Sequence, residues 1–401
     1  MARSARSSTP RLKLTVLERR SSIALALLFA ARMLGLFLLT PIFAVAAVTL
    51  AGGDDPVRVG LALGAYGLTQ AIMQIPLGMA SDRYGRRPVI VFGMLLFVLG
   101  GVICALSNDV DWVTVGRVIQ GLGAVSAAIT AWIADATRPE VRTRAMAMVG
   151  GSIGISFALS LVLSPMLVGQ FGLSGLFWAI SLLGFVCLLI AMFFVPDVPK
   201  SEDDIIQVTP HDVLAKRDLL RLNFGVFCLH FILMALFMVA PGLLGRLGGF
   251  DMATLWQVYL PVILASFVLM VPAVFYTETR KAHKAALELS VLGLALVLGV
   301  LPWLDGSFAL VVAALIGFFV FFNILEALQP SLVSRVAPPA YKGLALGFYN
   351  TAQSLGVFAG GLLGGVLVRG SGPNMVFWMC AMLAVVWLYT ARGFKDIRGE
   401  R

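Results

Sequence analysis

Two side chains that could exchange a proton stand inside long apolar runs of the sequence. Glu326, in FFNILEALQPSL, is the only acidic residue well inside such a run, and His230 lies at a similar depth in LHFILMALF. A carboxyl group surrounded by hydrocarbon favours its neutral form, so it can gain and release a proton during a cycle. We predict a proton-coupling pair. The alternatives are a neutral histidine bonded to a backbone carbonyl and a glutamate paired with a nearby arginine.

Basic and amide side chains inside the runs predict a polar cavity. Arg32 lies in ARMLGLF, and Arg117 and Gln120 lie in RVIQGLG. An arginine at the centre of a membrane helix costs about 2.5–3.5 kcal/mol, so it normally faces water or a polar partner. We place these three residues and Asn323, one helical turn from Glu326, along a central cavity. For Arg117, reaching back to the nearer membrane surface is the alternative. Two embedded arginines without an embedded acid in the first half favour anionic or neutral cargo.

These residues must be positioned by membrane-spanning helices. The chain of 401 residues is 59% hydrophobic and 13% charged, with a mean hydropathy of +0.94. Apolar runs of about 20 residues recur from residue 22 to residue 391, and each can cross a bilayer as a helix. We count twelve. Because the runs are continuously apolar rather than alternating, a membrane β-barrel is excluded. The predicted fold class is an all-α membrane protein with twelve transmembrane helices.

The remaining composition narrows the function. If the N-terminus is cytoplasmic, all Lys and Arg lie on that side except Arg58, Arg246 and Arg369 on the far side and Arg32 and Arg117 inside spans. This is the positive-inside pattern, so the net charge of +9 reflects topology, and we expect no nucleic-acid partner. The four cysteines lie in apolar runs, and we expect no metal site. No lysine follows a glycine, which excludes a phosphate-binding loop. With no nucleophile–base arrangement either, we do not expect an enzyme.

The chain divides into two halves around its one long polar interruption. We assign residues 1–196 to the first six-helix half, 197–221 to a cytoplasmic linker, and 222–401 to the second half with a short cytoplasmic tail. Thr209, followed by Pro210, predicts the start of a short helix in the linker. A shift of 196 residues aligns five small, proline or acidic positions: Pro76 with Pro272, Asp82 with Glu278, Gly151 with Gly347, Ser160 with Gly356, and Ser164 with Gly360. Parallel repeats of this kind build transporters whose substrate site lies between the halves.

The stretch GMASDRYGRRP, residues 78–88, resembles the cytoplasmic signature G-x-L-a-D-r-x-G-r-k of the major facilitator superfamily (MFS). The matching residues are Gly78, Asp82, Arg83, Gly85, Arg86 and Arg87. The resemblance implies a latch in which Asp82 faces the start of span eleven and Arg86 pairs with an acid at the end of span four. Asp135 ends span four here, and Pro338 and Pro339 precede span eleven. The alternative is an ordinary positively charged loop.

Two further stretches resemble signatures of the same superfamily. RVIQGLG resembles its R-x-x-x-G-x-G stretch in span four. Span five, GGSIGISFALSLVLSP, resembles the antiporter signature G-x8-G-x3-G-P at Gly151 and Pro165, with serine in place of two glycines. Span eleven repeats the spacing at Gly347, Gly356 and Gly360. Such small faces let helices approach one another closely and slide, so we predict helix packing at these positions.

Together with RMLGLF, YGLTQAIMQIP and FNILEALQPSL, these motifs are most similar to the YajR-type branch of the superfamily, which resembles drug:proton antiporters. That branch carries a soluble domain after span twelve, which we do not expect here. The resemblance implies two pseudo-symmetric halves, alternating access, and proton-coupled export of a drug-like compound or small metabolite. We expect no cofactor, a proton gradient as the energy source, and a monomer in the bacterial inner membrane with both termini cytoplasmic. A non-transporting sensor or scaffold and a passive channel are the alternatives.

Overall fold

The computed structural model describes residues 14–196, 215–338 and 342–394, and helices make up nearly all of them. No strand occurs in these three ranges apart from one isolated bridge between Ala51 and Asp109. Ten segments are long and apolar enough to cross a membrane: Val16–Phe37, Arg86–Leu106, Val110–Asp135, Gly151–Phe194, Arg217–Gly248, Trp256–Arg280, His283–Trp303, Phe308–Val336, Lys342–Ser371 and Pro373–Arg392.

Two details reconcile these ten segments with the twelve predicted spans. The helix Pro139–Leu189 leaves helical geometry at Gly172, where φ is 68°, so it contains spans five and six. The helix Pro56–Tyr84 has 29 residues and is therefore long enough to cross, but glycines and two buried glutamines make it less apolar.

We therefore number twelve helices. They are α1 (Val16–Phe37), α2 (Pro56–Tyr84), α3 (Arg86–Leu106), α4 (Val110–Asp135), α5 (139–171), α6 (173–189), α7 (Arg217–Gly248), α8 (Trp256–Arg280), α9 (His283–Val300), α10 (Phe308–Val336), α11 (Lys342–Ser371) and α12 (Pro373–Arg392). The helix predicted near Thr209 lies outside the described residues.

Local sequence explains where these helices begin and break. Thr15 caps α1 by accepting a hydrogen bond from the Glu18 amide at 3.2 Å, while the Glu18 carboxylate accepts one from the Thr15 amide at 2.7 Å. This reciprocal pair satisfies two donors that a helix start otherwise leaves free. Two helices are interrupted along their length: α4 between Leu122 and Ser126, and α7 between Phe237 and Ala240. The first interruption places Ser126 beside Arg32.

The charged stretch at residues 78–88 is more helical than the sequence indicated. Helix α2 continues to Tyr84 and α3 begins at Arg86, so Gly85 alone makes the turn. Its φ of 98° lies in the region that favours glycine, as expected for this position. We call this end of the bundle the Gly85 end, and the opposite end, where α2 begins after Asp55, the Asp55 end.

The two halves, α1–α6 and α7–α12, meet closely between the middle of the bundle and the Asp55 end. There α2 packs on α11 through glycines: a β-carbon at Gly64 would lie 2.7 Å from the Phe358 carbonyl oxygen. The Tyr259 hydroxyl donates to the Pro41 carbonyl at 3.2 Å, and Arg369 lies 3.3 Å from Asp55. All three contacts join the halves.

Toward the Gly85 end the halves separate. A β-carbon on Gly151 or Gly154 of α5, or on Gly343 or Gly347 of α11, would meet no atom of the described residues within 4 Å. The prediction of close packing is therefore wrong for Gly151 and Gly347 in this structure, because these faces border open space. These open glycine faces indicate a cleft between the halves at the Gly85 end.

The rest of the small-residue prediction is confirmed for α11. Gly356 and Gly360 lie against the backbone of Phe227 and Phe231 in α7, with no room for a side chain. Pro165 lies inside α5 without ending the helix, which continues to Gly172.

Candidate functional site

The predicted pair of Glu326 and His230 is present at the centre of the second half. The His230 Nε2 atom of α7 lies 3.7 Å from Glu326 Oε2 of α10. The histidine side chain is 4% exposed, whereas that of Glu326 is 22% exposed. His230 is thus enclosed, while the Glu326 side chain is partly exposed.

Hydrogen bonds hold the His230 ring in place. Its Nδ1 atom lies 3.2 Å from the Val226 carbonyl oxygen, one turn earlier in α7. Its Nε2 atom lies 2.6 Å from the amide nitrogen of Gln353 in α11. We did not single out Gln353 from the sequence, although an amide in the apolar stretch TAQSLGV was an available signal. The alternative of a histidine bonded to a carbonyl is therefore also realised, beside the contact with Glu326.

Two further groups of α11 and α10 stand near the pair. The Tyr349 side chain is buried, interacts electrostatically with Glu326, and its hydroxyl has no hydrogen-bond partner among the described residues. Asn323, expected beside Glu326, instead donates to the Ser266 hydroxyl of α8 at 3.1 Å and is buried. The prediction that Asn323 lines the cavity is therefore not met in this structure.

Aromatic rings surround the pair and connect the two halves at this depth. The Phe322 ring lies edge-on to the His230 ring, with centroids 6.1 Å apart. Phe157 of α5 lies 5.8 Å from Phe322 and 6.1 Å from Phe319. The first half thus contributes an apolar wall to the site, and the second half contributes its polar groups.

Arg32 and Arg117 do not line open space, contrary to prediction. Arg32 is fully buried; it donates to the Ser126 hydroxyl at 2.6 Å and to the Tyr66 hydroxyl at 2.7 Å. Arg117 is 2% exposed, donates to Gln120 Oε1 at 3.0 Å, and lies 4.8 Å from the centre of the Tyr66 ring. Gln120 is fully buried as well. Tyr66, which the sequence analysis missed, serves both arginines, one through its hydroxyl and one through its ring.

The charged residues around Gly85 form a cluster within the first half. The Arg86 Nε atom donates to Asp135 at the end of α4 at 2.8 Å, and its NH1 atom contacts Asp82 and the Ser81 hydroxyl. The predicted contact between Arg86 and Asp135 is thus present. Arg87 donates to the Val195 carbonyl at 2.7 Å. Of the remaining signature residues, Arg83 lies 5.4 Å from the Tyr84 ring centre, and Gly78 faces Ala127 of α4.

Asp82 was expected to face the start of span eleven, which Pro338 and Pro339 precede. Pro339 lies outside the described residues. The Asp82 side chain is 61% exposed. Its role in a latch between the halves stays a prediction.

The second half has a related cluster at the Gly85 end, in which the position at the end of α10 is basic where the end of α4 is acidic. Glu278, near the end of α8, binds Arg335 near the end of α10 through both carboxylate oxygens at 3.0 Å. His283, at the start of α9, lies 3.3 Å from the same carboxylate. The alignment of Asp82 with Glu278 therefore corresponds to equivalent places in the two halves.

Comparison with known proteins agrees with this architecture. The family model described as Major Facilitator Superfamily matches residues 25–360. The chain is 41% identical to the inner membrane transport protein YajR of Escherichia coli K12, over 96% of this chain and 85% of that protein. It is 31% identical to the class H tetracycline resistance protein of Pasteurella multocida, over 39% of each.

A solved structure shows the same fold at low identity. The crystal structure of a D-xylose–proton symporter superposes with a TM-score of 0.79 at 15% identity, over 94% of this chain and 99% of that one. These relatives are transporters, not enzymes. The chain is a multi-pass membrane transporter and belongs to the major facilitator superfamily.

Proposed function

We propose that this protein is a secondary active transporter that exports a drug-like compound or small metabolite in exchange for protons. It works as a monomer by alternating access: the two halves rock around a central site that opens to one side of the membrane at a time. A proton gradient supplies the energy, and no cofactor is required. The drug-resistance relative supports export, and the membrane is the bacterial inner membrane, as in the name of the YajR relative.

The observation that carries this proposal is the pair of Glu326 and His230 beside the cleft. It joins two ionisable groups at mid-membrane, 3.7 Å apart, one enclosed and one partly exposed. Ionisable groups at this depth are costly and are typical of proton pathways. A merely structural ion pair would be expected to have both members enclosed and fully hydrogen-bonded, whereas Glu326 Oε2 has no hydrogen-bond partner among the described residues.

We place the Gly85 end in the cytoplasm, following the distribution of Lys and Arg. Both termini are then cytoplasmic, and the cleft makes this an inward-facing state. The expectation of anionic cargo depended on arginines that face the cavity. Because Arg32 and Arg117 are enclosed and served by neutral groups here, we propose no charge for the cargo.

The test is proton movement in vesicles. The protein is reconstituted with a pH-sensitive dye inside, a pH gradient is imposed, and a panel of amphipathic drugs and small metabolites is added. We expect at least one compound to drive proton movement that Glu326→Gln abolishes. Glu288→Gln is the matched control, because Glu288 lies near the Gly85 end of α9, 3.8 Å from Lys284. Compound transport without proton movement, or equal loss in both variants, would refute proton coupling through Glu326.

A further inference from the structure

The contacts of His230 determine which ring nitrogen carries the proton. A backbone carbonyl only accepts hydrogen bonds, so the Nδ1 atom, 3.2 Å from the Val226 oxygen, must be the donor. In a neutral ring the Nε2 atom then carries a lone pair and accepts. In this orientation the amide nitrogen of Gln353, 2.6 Å away, is only a donor, so the bond fits a ring whose Nε2 carries no hydrogen.

Glu326 offers the complementary arrangement for the charged ring. Its Oε2 atom stands 3.7 Å from Nε2 and has no hydrogen-bond partner within the described ranges. If Nε2 gained a proton, it would face a donor in Gln353 and an acceptor in Glu326. Two donors cannot share a hydrogen bond, so the amide of Gln353 would have to turn over or withdraw, while the imidazolium ring would bond to the carboxylate.

We infer that Gln353 is a positioning residue through which α11 responds to the proton on His230. This inference rests on the proposed proton coupling and adds the element that transmits it. In the inward-facing state Gln353 holds His230 neutral, with the proton already released into the cleft. A proton arriving at Nε2 breaks the bond that the Gln353 amide donates, Nδ1 keeps its hydrogen, and Glu326 balances the added charge. Of the titratable groups, Glu326 of α10 contacts His230, and Tyr349 of α11 interacts electrostatically with Glu326.

The position of Gln353 in α11 gives this change a mechanical consequence. Ser354, the next residue, belongs to the contact between the halves: a β-carbon at Gly67 of α2 would lie 2.5 Å from its carbonyl oxygen. On its other side, α11 packs through Gly356 on Phe227 of α7, the helix that carries His230. Helix α11 therefore lies between the proton-binding residue and the first half. A shift that releases Gln353 also loosens the contact that closes the Asp55 end.

The test reads the proton on Nε2 directly. The full-length protein is labelled with 15N in its three histidines, placed in lipid nanodiscs, and studied by NMR at a pH where the wild-type ring is neutral. His230→Gln identifies the His230 signals by their loss. In the wild type we expect a hydrogen on Nδ1 and none on Nε2. In Gln353→Leu, Nε2 faces only the Glu326 carboxylate, so we expect it to gain a proton and bond to that carboxylate.

Gln353→Glu provides a second variant, whose side chain has nearly the same size as glutamine. Its carboxylate can accept a hydrogen bond but cannot donate one to a bare Nε2. We expect the same gain of a proton. Gln74→Leu is the matched control, because Gln74 is fully buried in α2 without a hydrogen bond to any described residue. A bare Nε2 in both Gln353 variants, or the same change in Gln74→Leu, would overturn the assignment.

A distance measurement separates this inference from proton-coupled transport. Spin labels at Asp54→Cys and Gly370→Cys report the separation of α2 and α11 at the Asp55 end. We expect acidification to increase the open population in the wild type, and this response to be lost in Gln353→Leu. A preserved response would overturn the role of Gln353 even if vesicles show proton-coupled transport. A lost response with no such transport in vesicles would support Gln353 and refute the proposed function.

Discussion

The contact between α2 and α11 makes a quantitative prediction about the balance between the two states. Gly64→Ala adds a β-carbon that would lie 2.7 Å from the Phe358 carbonyl oxygen and 3.0 Å from the Phe358 α-carbon. A relaxed carbon–oxygen contact needs about 3.3 Å, so the helices must separate by roughly 0.6 Å. Both nearest atoms belong to backbone, so rotation of a side chain cannot relieve the clash.

Overpacking of this kind costs about 1–3 kcal/mol. Under the proposed alternating access, the cost falls on the inward-facing state alone, because the Asp55 ends would separate in the other state. The ratio of inward- to outward-facing molecules should therefore fall by about 5- to 150-fold. Alanine also favours a helix over glycine by about 1 kcal/mol, but α2 is helical in both states, so this gain cancels in the ratio.

The assay is double electron–electron resonance between spin labels at Asp54→Cys and Gly370→Cys in nanodiscs. The four native cysteines are buried, so the introduced sites label selectively. Gly299→Ala is the matched control, because its β-carbon would meet Ala381 at an ordinary 4.0 Å. We expect a longer-distance population in Gly64→Ala only. Equal distance distributions in the two variants would show that this contact does not close the Asp55 end.

Three further perturbations test other parts of the structure. A double-mutant cycle on Arg86→Ala and Asp135→Asn should give a coupling of about 1.5–3 kcal/mol in chemical unfolding, because this hydrogen-bonded pair is largely enclosed. The exposed pair of Arg246 and Asp305 should give about 1 kcal/mol or less. Equal couplings for the two pairs would contradict this reasoning. Tyr66→Phe removes the hydroxyl that accepts a hydrogen bond from Arg32 and should lower the free energy of unfolding by about 1–3 kcal/mol. Tyr389→Phe, at an exposed position, should change the free energy of unfolding little. An unchanged free energy of unfolding in Tyr66→Phe would show that another group replaces the hydroxyl. Hydrogen bonds from Thr254 hold the pKa of Asp251 below its ordinary 3.8. The ionised carboxylate therefore stabilises the loop before α8 above that pH, and this stability is lost as the pH falls through the lower pKa of the folded state. Hydrogen exchange in the loop should become faster in acid, and Asp251→Asn should abolish this pH dependence.

The helices were predictable because a bilayer imposes one strong demand. A spanning segment must be apolar along about 20 residues and must satisfy its own backbone hydrogen bonds, so apolar length alone locates it. The same reasoning predicted that His230 and Glu326 share a depth, and the structure places them in contact. Depth depends only on position along a helix, which the sequence states.

The failures concern the direction in which side chains point. Asn323 precedes Glu326 by three residues, and at 3.6 residues per turn this leaves a difference of about 60° around the helix. That angle directs Asn323 to Ser266 of α8 rather than into the cavity. Arg32 is enclosed because Tyr66 of α2 and Ser126 of α4 meet it, which requires the relative rotation of three helices. Gly151 and Gly347 depend in addition on which state the halves adopt.

The distribution of ion pairs shows which contacts can change during a cycle. Arg86 with Asp135, and Glu278 with Arg335, each join helices of the same half, so both pairs can persist while the halves rock. The pair of Arg369 and Asp55 joins the two halves and would break in the proposed state in which the Asp55 end opens. The Asp82 side chain is exposed, and Arg86 would keep Asp135 as a partner if Asp82 moved to the start of α11. Asp82 could therefore contact the second half while the Arg86–Asp135 pair continues to hold α3 to α4. A reversible latch requires this arrangement.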